Sequence, residues 1–151
     1  MFGWRRYIRL LRQVDGLCFE RKAGVKLILF GKPAYKNEAK VPGDPLGKEW
    51  YIVPIFCKYY SNPDLLRFVI HEVRHRVQWN HPKMRLLTVE DAPEELREQV
   101  RDIENHVNRV DLAREIDAEI IEHLALPLFS FKSKCAFLEL MFGKAKPPKE
   151  S

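Results

Sequence analysis

Residues 61–75 of the chain read SNPDLLRFVIHEVRH. The stretch opens as helices do, with Asn62 as a candidate cap, Pro63 at the first helical position and an acid in the first turn. Apolar residues follow at helical spacing, and Pro82 forbids a continuation much beyond Asn80. The sequence therefore predicts one helix that ends near Asn80.

The centre of this predicted helix carries the motif His71-Glu72-x-x-His75. Histidines four residues apart lie on one helix face, so both imidazoles can reach one metal ion. Zinc suits imidazole and leaves a position for water, and Glu72 can take a proton from that water as general base. The motif therefore predicts a zinc-dependent peptidase, in which His71 and His75 are metal ligands and a metal-activated water attacks the peptide bond.

Two residues are candidates for a third metal ligand. His81 stands ten positions after His71, which is the spacing of HExxHxxGxxH, but Gln78 occupies the position where glycine would let the chain turn sharply. Glu115 stands forty positions after His75, in a segment with strong helical spacing. We favour Glu115, and His81 stays as the alternative.

Glu119 lies one helical turn after Glu115 and shares its face. From there it can accept the free ring N–H of a ligand histidine and so fix the tautomer of that ring. Ala118 is small, as close packing of two helices around a metal requires. A solvated acidic face paired with Arg114 would produce the same residues, so this assignment depends on the histidine pair.

The two motifs together resemble the gluzincin pattern, in which HExxH is followed on a later glutamate helix by ExxA and then Asp or Asn. The matching stretches are residues 71–75 and 115–119. They are similar to those of minigluzincins and of compact bacterial and phage HExxH peptidases, whose order of elements covers about residues 1–126 here. The resemblance implies zinc, with Glu115 as the third ligand and Glu119 behind the ligands. The glutamate at 119 is a departure, because its longer side chain changes the reach.

Upstream of the motif, the sequence predicts one helix and a small sheet. Residues 4–14 show helical spacing with a basic face, and the Asp-Gly pair that follows should end the helix. Residues 25–30 and 50–57 are short apolar runs of the kind that form strands. Pro54 cannot donate to a ladder, so we expect strand 50–57 at a sheet edge, where a peptide substrate can bind as an added strand.

Downstream, the sequence predicts further helices. Residues 93–126 contain no Pro or Gly, and their spacing predicts two helices, or one helix with a weak point near residues 105–111, before Pro127 stops the run. A last short helix is expected over residues 131–142. The resulting fold class is α+β: a small zincin-like domain with an N-terminal helix, a small β-sheet, the HExxH helix and the later glutamate helix.

The composition fits one domain, expected over residues 1–143, with a flexible Lys/Pro-rich tail over 144–151. The 46% of apolar residues suffice for a core. The three cysteines are widely spaced and form no CxxC pair, which indicates reduced thiols. No apolar run approaches the ~20 residues of a membrane span, and the N-terminus does not resemble a secretory signal, so we expect a cytoplasmic protein.

A rival interpretation is a catalytically inactive or purely binding protein. The net charge of +5 permits contact with nucleic acid or an anionic membrane surface without requiring it. The first helix would supply the contact through its basic and aromatic residues, Trp4, Arg5, Arg6, Tyr7, Arg9 and Arg12. A solvated helix face is the commoner meaning of such a stretch, so the peptidase is favoured.

The natural substrate, the oligomeric state and the residue that stabilises the transition state are not determined by the sequence. Four side chains near the motifs could supply the last of these, and the sequence does not choose among them: Tyr59, Tyr60, His106 and His123.

Overall fold

The structure is a computed structural model that describes residues 3–19, 24–27, 49–52, 61–130 and 134–143. Five helices dominate the described part of the chain, joined in places by short 3-10 turns. They are α1 (Gly3–Cys18), α2 (Asn62–Asn80), α3 (Glu94–Asp102), α4 (Arg109–Ser130) and α5 (Lys134–Phe142).

The prediction of an α+β fold is wrong, because the described structure is helical and its apolar cores are built from helices. Two four-residue segments, β1 (Gly24–Leu27) and β2 (Glu49–Ile52), do pair in parallel along their whole length. Two strands of four residues do not form a sheet layer, since a stable layer needs three or more strands. The rest of the two predicted strands, including Pro54, lies outside the described residues.

Helix α1 covers the predicted span and continues past it to Cys18. Its buried face includes Tyr7, Leu11 and Val14, as the spacing predicts. The expected stop at the Asp-Gly pair is wrong. The carboxylate of Asp15 is buried and pairs with the side chain of Arg76 on α2, so tertiary packing holds this turn in the helix.

Helix α2 confirms the prediction made from its sequence, with its last residue at Asn80. Its N-cap is Ser61 and not Asn62: the Ser61 hydroxyl accepts a hydrogen bond from the backbone N–H of Asp64 at 3.4 Å. Six apolar residues of the helix are buried, and the helix packs against both α1 and α4: Leu65, Leu66, Val69, Ile70, Val73 and Val77.

The weak point predicted between the later helices is confirmed, since residues 103–108 form a 3-10 turn and a short connection. The expected stop at Pro127 is wrong, because α4 runs on to Ser130. Proline costs the helix one intrahelical hydrogen bond, and Pro127 itself is exposed. Leu128 and Phe129 pack on the core and favour the continued turn.

Helix α4 carries the second motif, and its packing on α2 is what positions the candidate site. Ala118 and Ile120 are fully buried on α4, and Ile121 is nearly so. The last predicted helix is present as α5, which packs on α4. The predicted tail, residues 144–151, lies outside the described residues. None of the helices that the structure describes combines the length and the apolar character needed to cross a lipid bilayer.

Candidate metal centre

The two histidines of the motif and Glu115 lie together where α2 faces α4. The Nε2 atoms of His71 and His75 are 3.1 Å apart, and their rings meet edge to face. One carboxylate oxygen of Glu115 lies 3.0 Å from His71 Nε2, and the other lies 2.8 Å from His75 Nε2. Three side chains that are common zinc ligands thus present their ligand atoms within 4.8 Å of one another.

The outer nitrogen of His71 contacts a second glutamate of α4. His71 Nδ1 lies 2.9 Å from Glu122 Oε1, and Glu122 is buried and also pairs with Arg67 at 3.0 Å. Glu119, which the sequence suggested for this role, lies 3.9 Å from the same nitrogen. Sequence reasoning missed Glu122, although its place two turns after Glu115, on the same helix face, was a signal that could have found it.

Glu119 has other partners in the structure. It accepts a hydrogen bond from the Gln99 side chain at 3.0 Å and lies 3.4 Å from His123 Nε2. Glu119 therefore lies at the edge of the histidine cluster and connects it to α3 through Gln99.

The outer nitrogen of His75 contacts a residue of its own helix. His75 Nδ1 lies 2.8 Å from the side-chain oxygen of Gln78. Sequence reasoning considered Gln78 only as the residue that replaces a turn-forming glycine. Its place three residues after His75, on the same helix face, was a signal that could have found it, but the direction of its amide depends on groups that α4 supplies.

The hydrogen bonds around the rings leave three electron-pair donors facing one another. If Glu122 and Gln78 each accept the Nδ1–H of a histidine, both Nε2 atoms carry lone pairs, as does the carboxylate of Glu115. Lone pairs at these distances repel unless a cation lies among them. Two imidazole nitrogens and a carboxylate oxygen fit zinc, so the residues present suit this metal.

A proton on His71 can meet the same demand for positive charge. Burial disfavours the charged ring, but hydrogen bonds to Glu115 and Glu122 outweigh it and raise the pKa of His71 well above its usual value. Burial likewise works to raise the pKa of Glu115, yet its hydrogen bonds to His71 and His75 hold that pKa well below the usual range. His71 and Glu115 therefore carry opposite charges, and the proton on His71 provides the positive charge that a metal ion would otherwise provide.

The two further glutamates have pKa values shifted in opposite directions. Burial, followed by the interaction with Glu119, raises the pKa of Glu122 to about 7 although His71 opposes it. Burial opposes ionisation of Glu119 too, but hydrogen bonds to His123 and Glu122 lower its pKa to about 2. Opposed shifts in neighbouring carboxyl groups are common at functional sites.

Glu72 lies on α2 directly after His71 and is partly buried. Its negative charge contributes to the raised pKa of His71, which places it electrostatically beside the cluster. His81, the alternative third ligand, is not brought to the histidine pair. It caps the C-terminal end of α2, and its ring lies edge-on to Phe142 with 5.6 Å between centroids.

Two of the candidate transition-state donors lie among the described residues. His123 lies 3.4 Å from Glu119, and His106 is exposed and lies 3.3 Å from Asp102. Tyr59 and Tyr60 lie outside the described residues. No family model, curated protein sequence or solved structure gives a significant match to the chain.

Proposed function

We propose that this chain is a zinc-dependent peptidase in which His71, His75 and Glu115 hold the metal and Glu72 is the general base. The observation that carries the proposal is that three ligand groups from two helices converge, with 2.8–3.1 Å between their nearest atoms. When each histidine carries its proton on Nδ1, all three groups present a lone pair to the space between them. The HExxH motif and the later glutamate, which resemble the gluzincin pattern, support the same assignment.

Zinc bound by these ligands would polarise a peptide carbonyl and lower the pKa of a water molecule. Glu72, one residue after His71, would accept a proton as the carbonyl is attacked and deliver it to the leaving amine. Glu122 and Gln78 would hold the two rings with their Nε2 atoms toward Glu115. The chain's own contribution is thus a rigid ligand set on two packed helices and one carboxylate for proton transfer.

The test of the metal site is zinc stoichiometry by elemental analysis after dialysis against a weak chelator. We expect about one zinc per chain in the wild type and in His81→Ala, and a large loss in Glu115→Ala. His81→Ala is the matched control, because it removes a histidine at the end of α2 that lies outside the cluster. A wild-type chain that takes up no zinc would overturn the proposal, and loss only in His81→Ala would overturn the ligand set.

The test of the chemistry is the variant Glu72→Gln, assayed with a peptide library. The amide cannot take a proton at neutral pH, so we expect this variant to keep its zinc and lose hydrolysis. Wild-type cleavage that persists in Glu72→Gln would remove Glu72 from the mechanism. We also propose that the peptide substrate lies along residues 50–57, most of which lie outside the described residues. Crosslinking of a bound library peptide to this stretch tests that proposal.

A second candidate function is a zinc-binding but inactive protein that contacts nucleic acid or an anionic membrane through α1. Arg5, Arg9 and Arg12 are exposed on one face of α1, which favours such contact. Tyr7, in contrast, is buried, so it is not available for base stacking. Retention on DNA that falls steeply with salt would support this candidate.

A cytoplasmic location is likewise a proposal and rests on the cysteine pattern.

A further inference from the structure

A buried ion pair lies behind the histidine cluster. Arg74 on α2 and Asp117 on α4 have side chains that are 1% and 0% exposed. Arg74 donates to both carboxylate oxygens of Asp117, at 2.7 and 2.9 Å, and the backbone N–H of Leu87 donates to one of them at 2.8 Å. A bidentate pair with this support has a single well-defined geometry, so it can act as a fixed reference for its neighbours.

The ion pair determines which way the side-chain amide of Gln78 points. A carboxylate only accepts hydrogen bonds, so the atom of Gln78 that lies 2.6 Å from Asp117 must be its NH₂ group. The same NH₂ group donates to the backbone carbonyl of Arg114 at 3.1 Å. With both NH₂ hydrogens directed to α4, the Gln78 oxygen is left facing His75.

The orientation of Gln78 in turn determines where His75 carries its proton. The amide oxygen has no hydrogen, so the bond of 2.8 Å to His75 Nδ1 requires Nδ1–H. Without that acceptor, the carboxylate of Glu115, 2.8 Å from Nε2, would draw the proton to the other side of the ring. The amide and the carboxylate thus compete for one proton, and only its placement on Nδ1 leaves a lone pair for a metal.

We propose that Gln78 is a positioning residue, which links the buried Arg74–Asp117 pair to His75 and sets the ring tautomer that metal binding needs. As far as it concerns zinc, this inference rests on the proposed function. The tautomer itself does not, because the hydrogen bonds that set it involve no metal. Gln78 takes no part in the chemistry and acts only through His75.

The experiment measures the tautomer of His75 by ¹⁵N NMR of the ring nitrogens, in zinc-free protein at about pH 8.5, two units above the ordinary histidine pKa. Gln78→Met removes all three side-chain hydrogen bonds of Gln78 at similar size, and Gln78→Leu repeats the measurement with a different apolar shape. Gln13→Met, on the exposed side of α1, is the matched control.

We expect Nδ1–H in the wild type and the control, and a shift to Nε2–H in Gln78→Met and Gln78→Leu. Zinc affinity, measured by competition with a chromophoric chelator, should fall about 10–100-fold in the two apolar variants. Unchanged tautomer and affinity in both would overturn the role of Gln78. A tautomer shift in a protein whose wild type binds no zinc would uphold the positioning role and overturn the zinc peptidase instead.

Discussion

Removal of the buried carboxylate in Asp117→Ala should be among the most destabilising single changes in this protein. Asp117 accepts four hydrogen bonds, two from Arg74 and one each from Gln78 and the backbone of Leu87, at 2.6–2.9 Å. Its loss leaves a guanidinium that is 1% exposed without its counter-ion. Breaking one side of such a pair typically costs about 3–5 kcal/mol, because the remaining charge stays buried and uncompensated.

Urea unfolding followed by circular dichroism measures this cost. With a urea dependence of about 2 kcal/mol per molar, the midpoint should fall by about 2 M. Asp102→Ala is a matched control: its carboxylate is 62% exposed and its partners, His106 and Asn105, are exposed as well, so we expect a change within about 0.5 kcal/mol. The paired change Arg74→Met with Asp117→Leu should recover much of the loss, because no charge is left buried.

A midpoint for Asp117→Ala no lower than that of Asp102→Ala would refute the reasoning. It would mean that water reaches Arg74 once the carboxylate is gone, so that the guanidinium is not held in a dry interior. Failure of the paired change to recover stability would show that hydrogen-bond geometry, and not charge burial, dominates at this position.

Three further outcomes follow from the described contacts. Ser61→Ala should lower the free energy of unfolding by about 1 kcal/mol, measured by the same urea assay, because α2 loses its side-chain cap. Burial, reinforced by the charge of Asp15, raises the pKa of Cys18 from 9.0 to about 12, which lowers its reactive thiolate fraction about a thousandfold near neutral pH. Peptide mass spectrometry after maleimide labelling should therefore find Cys18 unmodified until the protein unfolds or the pH approaches 12, and early labelling would contradict its burial. Glu122→Ala should weaken zinc binding about 10–100-fold and more than Glu119→Ala does, because Glu122 lies 1 Å closer to His71 (2.9 against 3.9 Å); equal effects in the chelator-competition assay would contradict this difference.

Local sequence patterns were sufficient for the helices that begin and end by local chemistry. Helix α2 starts at a serine cap and ends before a proline, and both signals lie within a few residues of the boundary. The break between α3 and α4 lies within a few residues of the weak point predicted near residues 105–111. The predicted stop after α1 failed because Asp15, a poor helix residue in isolation, finds a buried partner on another helix.

The sheet was overpredicted for a related reason. Short apolar runs are equally compatible with a strand and with other buried segments, since a run of four to eight residues shows no distinct periodicity. Three residues of each run, 25–27 and 50–52, pair as strands, and the rest of both runs lies outside the described residues. Pairing of segments that lie more than twenty residues apart is decided by the whole fold and not by either segment.

The candidate site divides in the same way. His71 and His75 could be paired from the sequence, because one helix places residues four apart on one face whatever surrounds it. Glu115 could be proposed from its helix and its resemblance, but its approach to within 3.0 Å of both rings depends on how α4 packs on α2. Spacing places Glu122 on the face of Glu115 and Gln78 on the face of His75, but the contact of Glu122 with His71 and the direction of the Gln78 amide depend on how α4 packs on α2.

The sequence by itself determined the helix that carries the motif, the two histidines on its face and the residue types that suit zinc, because these follow from covalent order and helical geometry. Only the tertiary structure decided that Glu122 and not Glu119 bonds to His71, that Gln78 faces His75, and that a buried arginine and aspartate stand behind them. The physical reason is that hydrogen bonds and ion pairs between helices require distances near 3 Å, and only the packing of the apolar faces sets distances that short.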